Sequence, residues 1–324
     1  MINIDTIKNS VALIDRSNWG LLKVTGDDRL RFLHNQTTNN IQGLKVGEGC
    51  DTIFVNSTGR NIDLVSAYIQ ENEVLLLVSP EQNKKLYDWM DRYIFPFDKV
   101  GIKDITNDYK IFTLIGEKSV ELLSSLVDNE FLKSPEFSHK IIKIDDIELI
   151  ISVGCNLKLT GFNLIISQEK ASYIWNKITT KNPLIINNRD YENLRILQGK
   201  PTPNKELTEE YNPLESGLWD AISFNKGCYI GQETIARLNT YKGVKQKLWG
   251  IKLNNSINPE IDNIITVEGE KVGKITSYLE TKSEKFALGY IRTKAGDIGL
   301  KVNIAEVEGE VVNLPFIRHE YYQP

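Results

Sequence analysis

The chain has little cysteine, and what it has is badly spaced for cross-linking or for holding a metal. Cys50, Cys155 and Cys228 are odd in number and far apart, and no C-x-x-C pair occurs. This argues against a disulfide framework and against a local zinc or iron–sulfur cage, so no metal ligands are assigned. A reducing, cytoplasmic setting fits such cysteine usage best. Long apolar runs are also missing. Val74-Leu75-Leu76-Leu77-Val78 is strand-sized, far short of the roughly 20 residues that span a bilayer as a helix, so no membrane partner is expected. Residues 1–8 are polar and include Asp5, unlike a secretory signal or an Arg-rich transit peptide. A net charge of −4 gives no strong nucleic-acid signal and no general pull toward anionic membranes. Internal repeats and low-complexity tracts are absent.

What is present is ordinary globular material, 41% hydrophobic and 25% charged over 324 residues, a length that predicts two or three packed domains. Residues 21–25 read as a strand, followed by a helix with Asp27 as its N-cap. Leu30, Leu33 and His34 share one face of that helix; His34 could face a ligand, but a partly buried packing histidine is the plainer reading. Residues 51–80 switch to a β-meander: strands at 52–55, 62–69 and 74–78, with Asn56-Ser57-Thr58-Gly59-Arg60 as a turn. From Pro80 to about residue 94 an amphipathic helix carries Leu86, Trp89, Met90 and Tyr93 as its core stripe. The alternation continues with strands at 111–115, 140–144, 148–153 and 162–166 and helices at 118–127, 168–179 and 190–199. Trp175, Leu194 and Leu197 face inward in the last two helices. This order suggests an α+β core with antiparallel sheets. Beyond residue 243 the helical signal stops, and strands at 247–253, 264–267, 270–277, 287–291 and 301–307 read as a small β-barrel or sandwich. The expected domains are 1–243, with two subdomains, and 244–324.

The chemistry concentrates at Lys226-Gly227-Cys228-Tyr229-Ile230-Gly231-Gln232-Glu233. Two glycines bracket a cysteine and an aromatic, and glycine permits backbone geometries closed to other residues. After Gly231 the text turns helical, with Glu233 in the first turn. A Gly-rich loop feeding a helix N-terminus suits an anion, and together with Lys226 it favours a reactive thiolate at Cys228. For a bare Gly-x-x-x-Gly, the plainer reading is a tight turn holding a small buried cysteine.

The whole octapeptide resembles the signature of the YgfZ-type folate-binding proteins, relatives of the glycine-cleavage T-protein (aminomethyltransferase). V-T-G-D-D-x-x-x-F-L-H-N-Q-T-T-N from Val24, R-x-x-x-G-x-P at Arg195, Gly199 and Pro201, P-x-E at Pro213 and Glu215, and Leu314-Pro315-Phe316 are similar to the same family. The resemblance implies an aminomethyltransferase-like folate-binding core with mixed and antiparallel sheets, a small C-terminal β-barrel, and tetrahydrofolate or a one-carbon derivative as cofactor. It implies that Asp63 and Glu215 pair with the pterin. Trp219 or Tyr229 stacks on a ring, and Lys226 and Arg237 meet the carboxylates of the glutamate tail. Each of these residues, taken singly, also has an ordinary structural reading.

Two departures from the T-proteins matter. Their helix motif R-x-E-x-G becomes Arg195-Ile196-Leu197-Gln198-Gly199, and their strand Asp pair is reduced to Asp63 followed by Leu64. Leu can neither accept a proton nor pair with pterin N–H groups, so glycine-cleavage chemistry is not expected. Two readings follow. One is a tetrahydrofolate-binding accessory protein in iron–sulfur cluster assembly or repair, and thereby tRNA modification, with iron–sulfur assembly proteins or radical iron–sulfur enzymes as partners. The other is a folate-dependent one-carbon (aminomethyl or methyl) transferase.

Overall fold

A computed structural model describes residues 7, 9–281 and 284–323 of the chain. The polar opening segment, Ile7 apart, lies outside the described residues. By its own packing the chain divides into two units. One holds residues 2–52 and 64–191, and the other holds 53–63 and 192–324.

The first, the sheet unit, opens with β1 (Ala12–Asp15) and β2 (Gly20–Thr25). α1 (Arg29–Gln36) follows, and its N-cap is Asp28 rather than the expected Asp27. The Asp28 side chain makes no cap hydrogen bond; its carboxylate accepts from the Lys99 backbone N–H at 3.0 Å and pairs with Arg31 at 3.2 Å. The meander is present as β3 (Gly49–Val55), β4 (Asn61–Ile69) and β5 (Glu73–Val78). All nine residues of β4 are buried, as expected of a strand covered on both faces. α2 (Asn83–Asp91) begins three residues after Pro80, and β6 (Gly101–Asp104) completes a five-stranded sheet in the order β3-β4-β5-β2-β6.

A second sheet has the order β11-β1-β7-β10-β9-β8. Its strands are β7 (Tyr109–Ile115), β8 (His139–Ile144), β9 (Ile147–Val153), β10 (Gly161–Ser167) and β11 (Leu184–Ile185). Only the β1/β11 pair among the described pairings is parallel. α3 (Ser119–Ser124) and α4 (Gln168–Thr179) cover this sheet. Ala171, Ile174 and Ile178 recur at helical spacing on the buried face of α4, against a core that includes Phe112, Leu114, Phe162 and Leu164. Trp175 is half-buried, its ring 4.9 Å from that of Phe112. Burying a side chain such as Ile174 contributes roughly 1.5–3 kcal/mol, which fixes the helix to the sheet.

In the second unit, α5 (Asn188–Gln198) buries Leu194 and Ile196, while Leu197 is half-buried. α6 (Gln232–Thr240) precedes a closed six-stranded barrel. The barrel strands are β12 (Gln246–Leu253), β13 (Ile264–Val267), β14 (Glu270–Glu280), β15 (Lys285–Arg292), β16 (Lys301–Ile304) and β17 (Val307–Val312), in the order β12-β15-β14-β13-β16-β17. Ile251, Ile265, Ile291, Val302 and Ile304 fill it. The strand expected at 301–307 is in fact the start of a hairpin. The chain reverses after Ile304, with Ala305 at φ +49°, a left-handed conformation that no glycine announces. The α+β class with a C-terminal β-barrel therefore holds.

Candidate functional site

The candidate site residues Asp63, Glu215, Trp219, Lys226, Cys228, Tyr229 and Arg237 all lie in the barrel unit, whereas His34, Cys50, Leu64 and Cys155 lie in the sheet unit. The tip of the β3–β4 hairpin is an Asx turn, in which Asn56 Oδ1 accepts from the backbone N–H groups of Thr58 and Arg60, each at 3.0 Å. Against this turn packs Gly231, the left-handed N-cap of α6 at φ +79°. A Cβ on Gly231 would stand 2.6 Å from the Asn56 carbonyl oxygen and 2.9 Å from the Gly59 backbone. Glycine at 231 is thus required twice, for its dihedral and for the close approach.

The loop before Gly231 sorts its side chains sharply. Cys228 is exposed, so the plainer reading of a buried cysteine does not hold. Lys226 is buried, with its ammonium 4.8 Å from the centre of the Tyr229 ring. Tyr229 is buried too, and burial holds its phenol well above the ordinary range. Arg237 is exposed in the last turn of α6. The two cations expected to share one anion therefore stand in unlike settings, one packed on an aromatic and one in solvent. Cys155 and Cys50 differ from Cys228 again. Cys155 is fully buried, with its thiol pushed up to about 11 by desolvation, and Cys50 is half-buried.

Glu215 is buried and accepts from the Asn212 backbone N–H at 3.0 Å. Arg60 lies 3.5 Å away. Burial raises the Glu215 carboxyl above its usual range, the Asn212 N–H and Arg60 acting in the opposite direction. Next to Glu215, Ser216 shares a 2.7 Å hydrogen bond with the Tyr290 hydroxyl and accepts from Asn61 Nδ2 at 2.8 Å. Tyr290 stacks on Tyr211 with centroids 3.5 Å apart, and burial pushes the Tyr211 phenol up to about 12. Asp63 is fully buried on β4, two residues from Asn61 and on the same strand face. Trp219 is buried with its ring 5.2 Å from that of Tyr321 and 5.8 Å from that of Phe224.

Among the buried polar atoms of the barrel unit without a hydrogen-bond partner are Asn61 Oδ1 and Trp219 Nε1, along with Gln198 Oε1 and both ring nitrogens of His319. Orphaned buried groups are uncommon enough to need an explanation. Sequence reasoning missed Asn61, Arg60, Ser216, Tyr211 and Tyr290. Only Asn61 carried a usable signal, its placement one strand repeat before Asp63. The others come together only through folding.

The GCVT N-terminal domain family matches residues 2–226 of the chain. The chain belongs to that family. Within this GCVT relationship, the chain is 42% identical over 321 residues to an Arabidopsis thaliana protein named "Putative transferase At1g60990, chloroplastic", covering 98% of this chain and 74% of that one. It is 28% identical over 310 residues to an aminomethyltransferase of Caldanaerobacter subterraneus, covering 93% and 82%. The crystal structure of glycine cleavage system aminomethyltransferase T from Bartonella henselae superposes with a TM-score of 0.83 at 17% identity, over 97% of this chain and 88% of that one. The last likeness establishes the GCVT fold alone. No helix among the described residues is long and apolar enough to cross a membrane, and no group of three or more His, Cys, Asp or Glu among them is arranged to hold a metal ion.

Proposed function

We propose that this GCVT-family chain is a tetrahydrofolate-binding accessory protein of the YgfZ type, acting in the cytoplasm in iron–sulfur cluster assembly or repair and thereby in tRNA modification. The observation that carries the reading is the K-G-C-Y-I-G-Q-E loop, whose Gly231 is locked against the Asn56 turn while Cys228 stays in solvent. A loop fixed by close backbone packing, with an accessible thiol at its apex, suits transient thiolate chemistry.

The donor set of the barrel unit fits a reduced pterin, which offers ring N–H donors and a carbonyl. Asn61 Oδ1 is a spare buried acceptor and Trp219 Nε1–H a spare buried donor. Glu215 is a buried carboxyl with a raised pKa, able to accept or donate according to its protonation. Asp63, Glu215, Trp219 and Tyr229 are assigned to the pterin and its aromatic linker, and Lys226 and Arg237 to the glutamate tail. Iron–sulfur assembly proteins or radical iron–sulfur enzymes are the partners this role requires.

A folate-dependent one-carbon transferase is the second reading, favoured by the transferase names of the relatives. Against it stand Leu197 and Leu64, apolar where T-protein chemistry calls for carboxylates. The test pairs two assays. Under the accessory reading the protein restores iron–sulfur enzyme activity in cells lacking the endogenous protein, Cys228→Ala does not, and neither releases ammonia from an aminomethylated carrier protein. Robust ammonia release, or full complementation by Cys228→Ala, overturns it.

A further inference from the structure

Arg16, at the end of β1 in the sheet unit, is 1% exposed. Its guanidinium is held on three sides. Nη1 points at four neutral acceptors: Asn156 Oδ1 at 3.3 Å, and Thr113 Oγ1, Asn163 Oδ1 and the Cys155 carbonyl at 3.4 Å each. Cζ lies over two aromatic rings, Trp19 at 3.8 Å and Tyr191 at 4.8 Å, whose planes are nearly perpendicular to each other. The amides are themselves fixed. Thr113 donates to Asn163 Oδ1 at 2.8 Å, and Asn163 Nδ2 donates to Asn156 Oδ1 at 2.9 Å.

The remaining edge is different. Nε and Nη2 are buried and have no hydrogen-bond partner. These are the two nitrogens whose N–H bonds run parallel, the edge with which arginine grips a carboxylate bidentately. Arg195 shows that use within the same chain, its Nε and Nη2 donating to the two oxygens of Glu192 at 2.7 and 2.6 Å. Among the described residues, no carboxylate forms an ion pair with Arg16. A hydrogen-bonded route to a negative charge runs from Asn156 through Ser66 to Asp51, by bonds of 2.8 and 2.6 Å.

We propose that the Nε–Nη2 edge of Arg16 is a binding site for the carboxylate of a small organic acid. A buried cation without a counter-charge is costly, and a ligand that brings one negative charge and two parallel acceptors removes that cost. A single charge matches better than a phosphate dianion, because among the described residues no second cation hydrogen-bonds into the Asn156–Asn163–Thr113 network. Both nitrogens are sealed from solvent, so entry requires a neighbouring side chain to move, and Trp19 reports that movement through its fluorescence. The proposal does not depend on the folate reading.

The test titrates the full chain, free of folate, with sodium acetate, glycine and L-glutamate, against sodium chloride at matched ionic strength. Thermal midpoint and tryptophan fluorescence are read together. At least one carboxylate should raise the midpoint saturably, and Arg16→Lys should weaken half-saturation by at least roughly tenfold, because an ammonium keeps the charge but has no parallel N–H edge. Arg16→Met should abolish the effect, and Trp19→Phe should lose the fluorescence change while keeping a midpoint shift. If Arg16→Met does not fold, Arg16→Lys carries the test. An equal rise in Arg16→Lys, no rise with any carboxylate, or a larger rise with inorganic phosphate overturns the proposal.

Discussion

Two buried arginines, one in each unit, solve the same physical problem differently. Arg195 in the barrel unit is enclosed by opposite charge. Glu192 takes its Nε–Nη2 edge, Glu206 accepts from Nη1 at 3.1 Å, and Ser277 adds a contact at 2.7 Å. Glu206, fully buried, is in turn saturated by Thr202, Thr276 and Ser277. Arg16 in the sheet unit has two aromatic neighbours and neutral acceptors, but among the described residues no ion pair, and its Nε and Nη2 have no hydrogen-bond partner. The difference separates a completed scaffold from a constellation poised for something that is not part of the chain. Burial alone does not distinguish the two, since both side chains are almost entirely enclosed.

The largest expected effect breaks the completed cluster. Glu206→Ala leaves Arg195 without one buried partner and should lower unfolding free energy by about 3–5 kcal/mol. Arg16→Met, which deletes an unpaired buried cation, should stay within about 1 kcal/mol of wild type or stabilise. Denaturant titration of both variants checks the pair, and equal losses would erase the distinction between the arginines.

The next effect belongs to the Gly231 turn. Gly231→Ala forces a Cβ against the Asn56 carbonyl at a left-handed dihedral and should cost about 1–3 kcal/mol. Because Arg195 is not touched, the loss should add to that of Glu206→Ala, and a double variant checks this.

A third effect depends on pH and concerns the half-buried His319, which lies near both Lys247 and Asp297. Burial, together with Lys247, pushes His319 down to about 4 from its ordinary 6.5. The folded-state pKa is depressed, so the unfolded chain takes up a proton first. His319 therefore costs no stability above pH 6.5, and stability falls as pH drops from 6.5 toward 4. His319→Phe should flatten that part of the profile, and an unchanged slope would assign it to other groups.

The smallest effect concerns Cys228. Exposed at the surface, it should tolerate Cys228→Ala within about 0.5 kcal/mol. Iodoacetamide at neutral pH should label it before the half-buried Cys50, and before Cys155, whose thiol burial holds near 11. Mass spectrometry of the labelled peptides gives the order.

Much of the fold was legible because its signals are local. The β3–β5 meander announced itself by strand runs separated by turn residues, and α4 by Ala171, Ile174 and Ile178 at helical spacing. The loop feeding α6 was readable from Gly231. The hairpin at Ala305 was not, because an alanine at φ +49° leaves no mark in a sequence. Nor was β1, whose short apolar run gives too few residues to show a period. The site was legible only in part. Glu215, Asp63 and Trp219 stood in recognisable wording. Asn61, Ser216 and Tyr290 meet across 155 and 74 positions of chain, a separation no local pattern encodes. Arg16 could not be singled out at all, since an arginine in a sequence reads as exposed until its surroundings are known.

The central claim, that this GCVT-family chain binds a reduced folate through the barrel-unit residues, is tested most directly by calorimetric titration with tetrahydrofolate and its 5-formyl form. Wild type is compared with a variant carrying both Asn61→Leu and Glu215→Gln. The account predicts saturable heat for wild type and at least roughly tenfold weaker binding for the variant, about 1.4 kcal/mol. For a Kd near 1 μM, a hundredfold excess of ligand should also stabilise wild type by roughly 2.7 kcal/mol. No heat and no stabilisation at millimolar folate, or unaltered affinity in the double variant, would contradict it.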